Sequence, residues 1–136
     1  MEETVFNSSF RRITFEIATG LMVNHWHEVS EEANDAALRE DFALSLEKGI
    51  APFKPSLILH DLRQFRYTIP PETQVWIDEN INAAAVRLGV KKVAFIVPHD
   101  IFTRVSVEQV MEEGGIGLVQ VAYFDTMEDA LNWLRN

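Results

Sequence analysis

The sequence predicts a single α/β domain built on a mixed five-stranded sheet with four helices, in the order β-β-α-β-α-β-α-β-α. Three observations carry this expectation. An alternating segment, Ile13-Thr14-Phe15-Glu16-Ile17, is followed by a Thr19-Gly20 turn and a second extended run, as in a hairpin. Short apolar runs at Leu57–Leu62, Val90–Val97 and Leu118–Phe124 then alternate with stretches of helical periodicity. Finally, 136 residues fit one domain with a core of its own.

Taken in order, residues 1–10 show no clear period and read as a loose N-terminal segment. The hairpin's second strand is Leu21-Met22-Val23-Asn24-His25-Trp26. Ser30 reads as an N-cap, with Glu31 and Glu32 placed to complement the helix dipole. Leu38, Phe42 and Leu46 form an apolar stripe, and Gly49 is a natural stop. Pro52 and Pro55 lead into the strand Leu57–Leu62. Pro71 suits the first turn of a helix whose inner face is Ile77, Ile81, Ala84 and Leu88, ended by Gly89. The strand Val90–Val97 is nearly apolar in its second half, as expected of one covered on both faces.

Ser106-Val107-Glu108-Gln109 reads as a capping box, with Val105 and Val110 as its staple and Gly114-Gly115 as the stop. Thr126-Met127-Glu128-Asp129 opens a terminal helix that offers Ala130, Leu131, Trp133 and Leu134 for packing. Trp26, Trp76 and Trp133 read as core or core margin. Helical crossovers imply that the later strands pair in parallel.

Composition narrows the function classes. There is no cysteine, so disulfides, thiolate metal sites and cysteine nucleophiles are excluded. The formal net charge of -9 opposes the positive field that nonspecific nucleic-acid binding needs, and it disfavours anionic membranes. No apolar run approaches the roughly 20 residues of a membrane span, and the acidic start does not read as a secretory signal. A cytoplasmic location is the resulting expectation.

The strand-loop-helix around Leu59-His60-Asp61-Leu62-Arg63-Gln64-Phe65, with the order of elements, resembles the STAS domain family of anti-sigma-factor antagonists. It is closest to the SpoIIAA-like branch, whose fold is also similar to that of lipid-binding carriers. The likeness runs from about Ile13 onward and implies binding to partners or small ligands. Family members carry a phosphorylated serine or threonine at the head of the helix after this strand. Here Ile69, Pro70, Pro71 and Glu72 occupy that region, and Thr68 and Thr73 only flank it. The phosphorylation switch is therefore expected to be absent.

Arg63 and Arg66 follow one strand and Arg104 follows the next, so adjacent strands would bring all three to one sheet end, where open α/β sheets take ligands. Such a cluster would suit a phosphate or carboxylate. Its alternative is a set of solvated charges or ion pairs with Asp61, Glu72 and Asp100. Phe65, Tyr67 and Phe102 would add an aromatic rim of the kind enriched at interaction hot spots, or would fold back over the sheet end. The candidate binding set is thus Asp61, Arg63, Phe65, Arg66, Tyr67, Phe102 and Arg104.

A metal site would need at least three groups among His25, His27, His60-Asp61 and His99-Asp100 to converge; the expectation is instead a polar strand face with Asp residues capping loops, and no cofactor motif is present. No nucleophile elbow or phosphate loop points to an enzyme. The leading expectation is a non-enzymatic regulatory module that binds another protein. A carrier of a small molecule, anion or lipid is the alternative, and homodimerisation through the first strand's edge is compatible with either.

Overall fold

The computed structural model describes residues 2–28, 34–65, 67–101 and 119–136. They form an α/β fold on a mixed sheet of six strands, one more than the sequence predicts. The added strand, β1 (Glu2–Asn7), lies in the segment expected to be loose. It pairs antiparallel with β2 (Arg11–Glu16), with a break in register between Thr4 and Phe6. Its residues are mostly exposed, so burial left little periodicity to read. β2 pairs antiparallel with β3 (Leu21–Trp26), confirming the hairpin. Ile17 falls in the turn and is 72% exposed rather than ending the strand. Gly20 closes the turn at φ +72°, a left-handed conformation that glycine adopts readily.

β3, β4 (Leu57–Asp61), β5 (Lys92–Ile96) and β6 (Gln120–Phe124) pair in parallel. The six strands lie side by side in chain order. Alternation divides their side chains between two faces. Ile13, Phe15, Met22 and Ile58 pack on one, against Ile50, Ala85 and Val90. Leu21, Val23, Leu59, Ala94 and Ile96 pack on the other, against Ala130 and Leu134.

The helix α1 (Asp35–Ser45) starts at Asn34, whose side chain accepts the Ala37 N–H at 2.9 Å. Asn34 rather than Ser30 is its N-cap; Ser30, Glu31 and Glu32 lie outside the described residues. Gly49 does not stop the chain's helical path. A π-helical turn, Leu46–Ile50, leads into α2 (Ala51–Phe53), and the end comes at Lys54 at φ 48°. The Ala51 N–H reaches back to Leu46 O, and the widened turn admits Pro52, which has no N–H of its own to donate. Gly49 instead lies buried beside the Met22 side chain.

The next helical stretch runs through α3 (Pro71–Ile77), a π turn Asp78–Asn82, and α4 (Ala83–Arg87). The π turn carries extra residues per turn, so Ala85 follows Ile77 and Ile81 into the core, while Ala84 is only half-buried. Gly89, at φ +111°, ends the stretch as expected. The terminal helix α5 (Met127–Arg135) has its predicted N-cap: Thr126 Oγ1 accepts the Asp129 N–H at 3.2 Å. The capping box at Ser106 and the glycine stop at 114–115 lie outside the described residues. No helix among the described residues is long and apolar enough to cross a membrane.

Candidate functional site

Three polar arrangements stand out from the apolar packing. The first is a buried network around Arg11, which opens β2 with its side chain on the face covered by α1. Its Nε donates to Asp41 Oδ2, its Nη1 to Asn24 Oδ1 and its Nη2 to Ser45 Oγ, each at 2.8 Å. Ser8 Oγ donates to the other oxygen of Asp41. The guanidinium carbon sits 4.2 Å from the Trp26 ring and 4.5 Å from the Phe42 ring. Arg11 and Asp41 side chains are each only 2% exposed. Burial pulls the Arg11 pKa down to about 10 despite Asp41, so the group remains a cation at neutral pH. With its partners already satisfied inside the core, this ion pair positions α1 on the sheet rather than meeting a ligand.

The second arrangement begins with Trp26, whose Nε1–H donates to His60 Nδ1 at 3.1 Å. That bond assigns His60 the neutral tautomer protonated on Nε2. Burial, helped by Arg11, pushes its pKa down to about 3. The ring stacks on Phe95 at 5.2 Å, and Phe95 stacks on Tyr123 at the same distance. His60 is thus an aromatic packing element at neutral pH.

The third is an open cleft of about 480 Å³ lined by His25, Trp26, His27, Asp61, Arg63 and Gln64. It lies at the carboxyl ends of β3 and β4, where His25 and Asp61 are register partners across the parallel pair. Open α/β sheets usually bind ligands where crossovers diverge to opposite sides, but here successive strands simply step to the next neighbour. The cleft forms instead where the antiparallel hairpin gives way to the parallel strands.

Arg63 forks around Asp61, with Nε to Oδ1 at 2.9 Å and Nη2 to Oδ2 at 2.7 Å, and its backbone N–H also reaches Oδ1 at 3.2 Å. Burial of Asp61 favours its neutral form, but the bonds and charge of Arg63, aided by His25, prevail and hold its pKa below the usual carboxylate range. The hydrogen bonds to Asp61 raise that of Arg63. For His25, burial and then the charge of Arg12 lower the pKa, against the opposing pull of Glu2 and Asp61. Its Nε2 is buried and has no hydrogen-bond partner among the described residues. His25 also lines a smaller groove of about 130 Å³ beside α5, with Glu2, Glu16 and Arg135.

Of the predicted set, Asp61 and Arg63 meet in this cleft as an ion pair, one of the arrangements the sequence allows for them. β4 and β5 are neighbours, as the cluster required, but Arg66, Phe102 and Arg104 lie outside the described residues. Phe65 and Tyr67 do not form an exposed rim. Phe65 packs edge-on against Trp26 with ring centres 5.0 Å apart, and the Tyr67 hydroxyl donates to Asp35 Oδ1 at 2.6 Å. Both fold back over the sheet end because the apolar cluster of Trp26, Leu38 and Ile77 offers them burial. Asp35 also accepts the Thr73 hydroxyl at 2.7 Å, and Thr73 in turn accepts from Arg39 at 3.1 Å.

His99 does not join Asp100 in a site. It is largely exposed and meets Asp125 at 2.6 Å, linking the segments after β5 and β6. Among the described residues, no three metal-ligating side chains converge.

Sequence reasoning found Asp61 and Arg63 but assigned His25, His27 and Gln64 no place beside them. The signal available was strand parity: His25, one residue before the end of β3, and Asp61, at the end of β4, fall on the same face of the parallel pair. Compared with family models, with curated proteins and with solved structures, the chain matches none.

Proposed function

We propose that this chain is a non-enzymatic binding module of STAS-like architecture, acting through the carboxyl end of β3 and β4. The observation that carries this reading is the open, polar cleft of about 480 Å³. That volume falls within the usual range for small-molecule sites. Its lining combines an ion pair, two imidazoles and an amide, which suits a small polar ligand. With Phe65 and Tyr67 tucked against Trp26 and Asp35, these two rings are not offered as apolar anchors for a broad protein interface. Protein binding is the second reading, favoured by the exposure of Arg63 and Gln64 at the rim.

The enclosure of Thr73 supports a module without the family's phosphorylation switch. Its side chain is fully buried, with its hydroxyl engaged by Asp35 and Arg39. The absence of catalysis is proposed on a related ground: His60 is locked as a neutral packing group.

Native mass spectrometry of the chain recovered gently from its own host cells tests the proposal. A small adduct lost on denaturation, and lost also from a Gln64→Trp variant that fills the cleft, is the expected result. A co-purified protein that still binds that variant would refute the cleft as the recognition site. Recovery of the bare chain under several growth conditions would count against binding as its role.

A further inference from the structure

The ion pair of Asp61 and Arg63 lines the cleft. The Arg63 side chain is 45% exposed, whereas that of Asp61 is 18% exposed, so an incoming ligand meets the guanidinium first. A guanidinium fork fits any oxyanion as it fits a carboxylate, and this one holds its carboxylate close to solvent, where ion pairs are weak and readily exchanged. Asp61, if released, would be a half-buried anion. Its neighbour across the parallel pair is His25, whose buried Nε2 has no partner among the described residues.

Resting on the reading of the cleft as a binding site, we propose that it takes a small oxyanion on Arg63, and that binding is coupled to uptake of one proton by His25 as Asp61 changes partner. The exchange conserves the pairing of charges. Arg63 moves from Asp61 to the ligand, and the proton taken from solvent makes His25 the new counter-charge for Asp61.

The other groups around His25 fit this role. Glu2 of β1 and Asp61 of β4 favour the imidazolium, while Arg12 of β2 and His27 just after β3 oppose it. Glu16 and Arg135 complete the neighbouring groove. Burial tips this balance toward the neutral ring in the free chain, so His25 is unprotonated near neutral pH. The oxyanion removes Arg63's competition for Asp61 and tips it back.

The sign follows by linkage. The complex binds more protons than the free chain between the lowered pKa of free His25 and its higher pKa in the complex. Affinity in that window rises as pH falls, by up to about tenfold per pH unit.

Sulfate is the probe, because it does not titrate in this range. The His25 ring signals are followed by NMR through a pH titration, with sodium sulfate and with sodium chloride at matched ionic strength. The expected result is an upward shift of the His25 pKa in sulfate alone, accompanied by a change at the Arg63 Nε–H, with both effects lost in Arg63→Gln. Arg63 is surface-exposed, so that variant retains the fold, and the wild-type comparison needs no variant at all.

An unchanged His25 pKa in sulfate, or an equal shift in Arg63→Gln, overturns the proposal. If a host ligand is nevertheless recovered in the cleft, only the proton coupling fails; if none is recovered either, the cleft reading fails with it.

Discussion

Removing Asp41 while leaving Arg11 in place strands a cation in the core. The guanidinium is 2% exposed, and Asp41 is the acidic member of its hydrogen-bonded shell, alongside Asn24 and Ser45. Asp41→Ala deletes the 2.8 Å charge-assisted bond from Nε and also leaves the Ser8 hydroxyl without that acceptor. Breaking a buried pair from one side costs about 3–5 kcal/mol. Domains of ordinary stability hold about 5–15 kcal/mol in total, so the variant stands near the edge of folding. The double variant Arg11→Met, Asp41→Leu removes both charges and fills much of the space with apolar groups. It is expected to be more stable than the sum of the single losses by at least about 2 kcal/mol. Urea unfolding, followed by circular dichroism and by tryptophan fluorescence, measures both, since Trp26 lies directly against the guanidinium. An Asp41→Ala loss below about 1 kcal/mol, or strict additivity in the double variant, would refute the assignment of a buried, mutually dependent pair.

Further expectations follow from the same geometry. His60 has a folded pKa of about 3 against 6.5 unfolded, so its contribution to stability is full above pH 6.5 and is lost as pH falls toward 3. The slope is about 1.4 kcal/mol per pH unit at most, and His60→Phe should flatten it in urea titrations across that range. Tyr67→Phe removes the largest of the influences that lower the Asp35 pKa, so carboxyl ¹³C NMR should show that pKa moving up; an unmoved titration would contradict the 2.6 Å bond. Thr126→Ala should cost about 1 kcal/mol through loss of the α5 N-cap, and Thr126→Asp should restore most of it in the same unfolding assay.

The parts of the fold legible in the sequence are those where burial imposes a period. The hairpin, the parallel strands and the Thr126 cap all follow from alternation, apolar runs or capping chemistry. β1 escaped because an exposed edge strand has no reason to alternate. The run through Gly49 escaped because a glycine stop is a local preference, overridden here by packing of Ile50 and Phe53 on the sheet. The ion pair of Asp61 and Arg63 is among the alternatives that the charges at and after the end of β4 allow. The Arg11 network was not visible: its partners lie 13 to 34 residues away, and an arginine at a strand's start reads as a surface charge. His25 gains its meaning from Asp61 across the sheet, which becomes apparent only once the parallel register is known.

The order in which the strands stand in the sheet is also the order in which they are made. Each strand from β2 onward finds its neighbour already synthesised, and no place has to be held open for a later arrival. The chain is made from its N-terminus, and closing short loops costs less entropy than closing long ones. The hairpin of β2 and β3 can therefore serve as a template on which β4, β5 and β6 are added in turn. From β2 to β5 each strand leaves one fresh edge, the one that the next strand will cover.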